Sequence, residues 1–198
     1  MRGFTRQVMS PVLAVSVMAA LVGACNSESS TEPETMSAPQ QATGATQASR
    51  RGPIDLGQCD SLAVSGRSQL LAHYYAVGDQ IYFWDGTGWL FIGPDATLYA
   101  GKAMRVKVGV HQVAGVWESR DGSKVVGQVQ RSCTPTSSDI SWQRLTALGH
   151  DGRGIFAKVD LIHRIRTQGG IAPTAPGTQY GEQQRVPYQA EYLFYNRH

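Results

Sequence analysis

Apolar and polar side chains alternate residue by residue through three separate segments of this chain, and a period of two admits few folds. In AMRVKVGVHQ, Met104, Val106, Val108 and Val110 alternate with Arg105, Lys107, Gly109 and His111. In IFAKVDLIHRIRT, Ile155, Ala157, Val159, Leu161, His163 and Ile165 share one face. In YQAEYLFYN, Tyr188, Ala190, Tyr192 and Phe194 do the same. A helix needs apolar residues three and four apart, so these segments read as half-buried strands. Turn signals punctuate them at Gly78-Asp79, Asp85-Gly86, Gly93-Pro94-Asp95, Gly101-Lys102, Asp121-Gly122, Asp151-Gly152 and Gly169-Gly170. The pattern predicts an all-β fold, an antiparallel β-sandwich or barrel of about 8 to 10 short strands.

The N-terminus carries a different signal. Arg2 and Arg6 precede a short apolar run from Pro11 to Val22, too short to span a bilayer, and the run ends in Val22-Gly23-Ala24-Cys25. This is the pattern of an export signal with a lipoprotein-type cleavage site, so residues 1–24 are expected to be a signal peptide and Cys25 to be lipidated. Residues 25–53 are rich in Ser, Thr, Ala, Gln, Glu and Pro and cannot bury enough apolar surface to offset their ordering entropy. They read as a tether of about 30 Å end to end. Residues 54–198 then form a single β-rich domain. The expected location is the cell envelope, anchored to a membrane by lipid; Asn26 after the cysteine points to the periplasmic side of an outer membrane.

With Cys25 lipidated, Cys59 and Cys133 remain as an even pair in an oxidising compartment, and a disulfide between them is expected. The domain from residue 54 onward has 14 Lys and Arg against 12 Asp and Glu, so it is nearly neutral, and no basic patch argues for nucleic acid.

Catalytic signatures are absent. The chain has no G-x-S-x-G, no H-E-x-x-H, no Walker loop and no dinucleotide fingerprint, and its cysteines lack zinc spacing, so no cofactor or metal is expected. The glycine-rich GHDGRG at 149–154 joins two strands and reads as a turn. The densest group of chemistry-bearing residues is HQVAGVWESRDG, where Asp121-Gly122 closes a tight hairpin with arms at 116–120 and 123–129. Trp117 reads first as a core aromatic. His111 continues the polar face of Arg105 and Lys107, with Glu118 close behind, so the two could serve as acid and base or as partial metal ligands. His163 sits on an apolar face, where a histidine is most often held by a hydrogen bond. Arg164 and Arg166, with Asp160 and Lys158, read as a solvated strand face. The candidate ligand site is therefore His111, Trp117, Glu118 and His163.

Six ordered stretches carry a resemblance: Q-I-Y at 80–82, A-T-L-Y at 96–99, H-x-x-A-G-x-W-E at 111–118, D-G-S-K-V-V-G at 121–127, T-x-G-G-x-A-P at 167–173 and V-P-Y-x-A-E-Y-x-F-Y at 186–195. Together they resemble the secreted family called domain of unknown function 3455, across roughly residues 68–195. The resemblance implies a β-rich exported domain without an agreed activity. In that family a cysteine often follows Q-x-Y by two positions and another follows G-G-x-A-P, which implies a bridge between them in relatives. Here the first position holds Trp84, and the stretch after Pro173 has no cysteine.

Three functions are compatible with these features. The leading one is a lipid-anchored envelope module that binds a glycan or another envelope component, for which Trp84, Trp89, Trp117 and Trp142 could supply stacking surface. The second is a hydrolase or metal-dependent enzyme using His111 and Glu118. The third is a purely structural envelope protein, which requires no pocket with converging polar groups.

Overall fold

Eight antiparallel strands run around a closed barrel in chain order, each pairing with the next, and the last returns to pair with the first. They are β1 (Ser68–Trp84), β2 (Trp89–Tyr99), β3 (Lys107–Gln112), β4 (Val116–Ser119), β5 (Lys124–Cys133), β6 (Trp142–Asp151), β7 (Leu161–Gly169) and β8 (Gln183–Arg197). The computed structural model describes residues 54–64 and 66–198. The expected signal peptide, Cys25 and tether lie outside the described residues. Of sandwich and barrel, the chain forms the barrel, which leaves no open sheet edge.

The strands are not uniformly short. β1 has 17 residues and β8 has 15, and they pair along almost their whole length. Two of the expected turns, at Gly78-Asp79 and Gly93-Pro94-Asp95, fall inside β1 and β2 and pair with each other there. Gly78 explains how so long a strand bends around the barrel. A Cβ at this position would sit 2.2 Å from the Asp95 carbonyl oxygen and 2.4 Å from the Ala96 Cα, so the backbones meet only because none is present.

The barrel is filled from one end. Residues Ile155–Lys158 form a single 3-10 turn between β6 and β7, and it delivers Phe156 into the interior with no exposed surface. Phe156 packs against Phe194 at 4.6 Å and Tyr74 at 6.2 Å between ring centroids, over a cluster that includes Leu98, Trp117, Val125, Ile162 and Tyr192. The β4–β5 hairpin turn clamps this plug. Asp121 Oδ2 accepts the Ile155 N–H, and Ser123 Oγ accepts the Phe156 N–H. The alternation expected through residues 155–165 thus gives way to a turn at 155–158, where Gly152 (φ 72°) and Gly154 (φ 150°) break the strand, and resumes at Leu161.

A second apolar cluster lies on the outer wall. Leu56, Cys59 and Leu62 cover Leu161, Ile165, Leu193 and Tyr195 of β7 and β8. The expected bridge holds the covering segment in place: Cys59 is bonded to Cys133, with Cα atoms 5.6 Å apart and a sequence separation of 74. β7 and the second half of β8 are therefore buried on both faces. Tyr188, Ala190, Tyr192 and Phe194 face the interior, as the alternation predicts.

Candidate functional site

The end of the barrel opposite Phe156 is open. It is framed by the β1–β2, β3–β4, β5–β6 and β7–β8 connections and leads into a cavity of about 580 Å³, within the range of small-molecule sites. An eight-stranded barrel is just wide enough to be filled by side chains or to hold one small ligand, and this one does the first at one end and leaves room for the second at the other.

The loops around the mouth are tied down. Tyr82 Oη donates to the Gly170 carbonyl at 2.7 Å, and Thr167 Oγ1 donates to the Ile140 carbonyl. Asp139 Oδ1 accepts the Gly169 N–H at 2.7 Å, and Trp89 Nε1 donates to the Ala175 carbonyl at 2.9 Å. These bonds hold the β5–β6 and β7–β8 loops in one arrangement above the opening.

Polar groups converge on the cavity wall. Arg164 projects into it from β7, in register with Gln143 of β6 and Tyr192 of β8. Its Nε and Nη2 both donate to the Ser141 carbonyl, at 3.2 and 2.8 Å. The Tyr192 hydroxyl lies beside the guanidinium and beside the Tyr188 hydroxyl, but no well-aligned hydrogen bond joins them. Gln80, only 2 % exposed, lines the cavity with its Nε2 likewise unpartnered. Burial raises the pKa of both phenols, so each hydroxyl remains a donor. A buried donor without an acceptor is costly, and several around one hollow point to a site where a ligand supplies the acceptors.

The ion pairs among the described residues all use outward-facing carboxylates: Arg185 with Asp79 and Asp95, Lys124 with Glu118, and Arg166 and His73 with Glu191. Arg164 joins none of them. Asp139 also lines the cavity, but its carboxylate is taken by the Gly169 N–H and the Thr136 hydroxyl, which hold its pKa below the ordinary range.

The four residues singled out from sequence separate into two inside and two outside. His111 is not on a solvated face. It points into the barrel at 4 % exposure, because β3 begins only at Lys107 and buries Gly109 and His111, while Val106 is exposed and Val108 and Val110 are half-buried. Its ring stacks on Trp117, and both line the deep side of the cavity. Burial pushes its pKa down to about 3, so the ring is neutral; Nδ1–H donates to the Val116 carbonyl at 3.0 Å, which leaves Nε2 as an acceptor. Glu118 faces the outer wall and pairs with Lys124 at 3.3 Å. His163 also faces outward, under the covering segment, where its Nε2–H donates to the Leu62 carbonyl at 2.8 Å. The acid–base pair imagined for His111 and Glu118 is thus divided by the sheet itself, since alternate residues of paired strands lie on opposite faces. His163 is a buried histidine hydrogen-bonded in place.

Arg164, Gln80 and Tyr192 escaped the sequence reading. A signal for Arg164 was present: Leu161, Ile162 and Ile165 cannot share one face of a strand, so β7 had to be buried on both sides, and Ile162 carries Arg164 inward with it.

No curated protein and no solved structure matches this chain. A family model described as protein of unknown function (DUF3455) matches residues 64–196, which takes in all eight strands except the last residue of β8. The chain belongs to that family, and the open-ended barrel described above is its fold in this member.

Proposed function

We propose that this protein is a binding module of the cell envelope, held to a membrane by a lipid on Cys25 and using the barrel mouth as a cup for a small envelope component. The observation that carries the reading is the cavity of about 580 Å³ whose wall includes Arg164, which joins no ion pair among the described residues, and Gln80, whose buried Nε2 has no partner in the protein. A purely structural barrel has no use for that arrangement. The lipoprotein-type signal and the Cys59–Cys133 bridge support an oxidising compartment outside the cytoplasm. An enzyme built on His111 and Glu118 finds no support in the geometry, because the two side chains face opposite sides of the wall.

The test is a fluorescence titration of the purified full-length chain with the uncharged dye Nile red. The reading expects a saturable rise at one dye per protein. A linear, unsaturable rise contradicts it.

A further inference from the structure

Resting on the reading of the barrel mouth as a cup, we infer that its ligand is an amphiphile with a single carboxylate, bound by that carboxylate to Arg164.

Charge argues first. Arg164 is the one cationic side chain lining the cavity, and no carboxylate of the described residues pairs with it. A guanidinium held in a hollow partly cut off from water gains most from an anion. A doubly charged head would need a second cation, and Asp139 on the same wall opposes one.

Geometry narrows the head further. Nε and one N–H of Nη2 are spent on Ser141, so the fork formed by Nη1 and Nη2 is the edge left to receive a ligand. A planar carboxylate matches that edge with two parallel hydrogen bonds. It has lone pairs to spare for the same cavity wall, where Gln80 Nε2 has no partner and the Tyr192 hydroxyl lies beside the guanidinium.

The rim fixes the orientation. Phe91, Ile92, Val129 and Ile171 line the cavity yet are 53 %, 43 %, 45 % and 37 % exposed. Apolar side chains around a single guanidinium suit a molecule whose charged end meets Arg164 and whose hydrocarbon lies along them. The reverse orientation would strand the carboxylate among these side chains and leave the guanidinium unmatched.

Calorimetric titration of the full-length chain with sodium decanoate, 1-decanol and decyltrimethylammonium tests the assignment. Decanoate is expected to bind about tenfold more tightly than decanol, equivalent to about 1.4 kcal/mol, and the cation more weakly than either. Arg164→Gln should remove the advantage of decanoate and leave decanol unchanged. Tyr192→Phe, which keeps the Ser141 contacts of Arg164 and so protects the fold, should weaken decanoate about threefold and decanol not at all. Equal binding of decanoate and decanol by the wild type overturns the carboxylate assignment while leaving the cup intact. Equal weakening of both by Tyr192→Phe also overturns it. Binding of none of the three overturns the assignment and the cup together.

Discussion

The imidazole of His111 lies flat on the indole of Trp117, with ring centroids 4.0 Å apart and planes 5° from parallel. Tyr192 meets both rings edge-on, at 5.2 Å from His111 and 5.5 Å from Trp117. This aromatic floor separates the packed end of the barrel from the open one, and it has a protonation state built into it. His111 is enclosed as the neutral ring, with its pKa pushed down to about 3 by burial.

Enclosure of a neutral histidine makes the fold acid-sensitive. Below the unfolded pKa of about 6.5, the unfolded chain takes up a proton that the folded chain refuses, so stability falls as pH falls toward 3. The slope from one such group is at most about 1.4 kcal/mol per pH unit. His163, lowered by burial as well, acts in the same direction. His111→Asn keeps a donor for the Val116 carbonyl but does not titrate. Urea unfolding between pH 4.5 and 6.5 should therefore show a shallower loss of stability in this variant than in the wild type, even though its stability at pH 7 is lower. Parallel pH profiles would contradict the burial of a neutral His111.

Gly127 leaves the space that Trp117 occupies. A Cβ there would stand 2.8 Å from Trp117 Cζ3 and 3.3 Å from Ile162 Cδ1. Gly127→Ala should cost about 1 to 3 kcal/mol through overpacking, read as a lower midpoint of urea unfolding. An unchanged midpoint would mean that the indole lies elsewhere.

The Cys59–Cys133 bridge closes a loop of 74 residues and fastens the covering segment to the outer wall. The chain-entropy account assigns such a loop about 4.5 kcal/mol as an upper figure. The Cys59→Ser, Cys133→Ser double variant should unfold at markedly lower temperature while retaining its strand content by circular dichroism. Two free thiols in the unreduced, denatured wild-type protein, beyond any on Cys25, would contradict the bridge.

Trp84 and Gly177 are neighbours. A Cβ on Gly177 would lie 2.8 Å from the Cβ of Trp84, so the strand end and the β7–β8 loop touch at this point. The position of Trp84 is the one at which the family resemblance places a cysteine, and Gly177 falls in the stretch after Pro173 where the second is expected. The structure thus gives a physical basis for a bridge between these sites in relatives. In the Trp84→Cys, Gly177→Cys double variant the two thiols should oxidise spontaneously, with the loop yielding about 1 Å to reach the usual Cβ separation. Persistence of two free thiols after air oxidation would contradict the contact.

The strands could be read from the sequence far better than the faces they present. β8 was legible because Tyr188, Ala190, Tyr192 and Phe194 all turn toward one filled interior. The β4–β5 hairpin was legible because Asp121-Gly122 supplies the turn, with Gly122 at φ 82° and its N–H bonded to the Ser119 carbonyl. The site was much less so. Between Gly109, opposite Leu98, and Lys107, opposite Tyr99, β3 carries Val108 as an extra residue, and local alternation cannot foresee such a bulge. His111 was therefore assigned to the wrong side. In β7 the face assignment failed because the segment from Leu56 to Leu62, distant in sequence, covers the outer wall and makes both faces apolar. Arg164 then looked like surface, though it is the cation of the cavity. Of the candidate residues, only His111 and Trp117 belong to the same place, and it is the floor of the cup.

The central claim is that the protein's binding site is the inside of the barrel mouth and not its outer wall. It is tested most directly by repeating the Nile red titration in two variants, one on each side. Val129→Trp enlarges a side chain that lines the cavity, whereas Glu118→Gln removes an outer-wall charge whose partly exposed pair with Lys124 contributes at most about 1 kcal/mol. Val129→Trp should abolish saturable dye binding, and Glu118→Gln should leave affinity and stoichiometry at wild-type values. Undiminished binding in Val129→Trp, or its loss in Glu118→Gln, would contradict the claim.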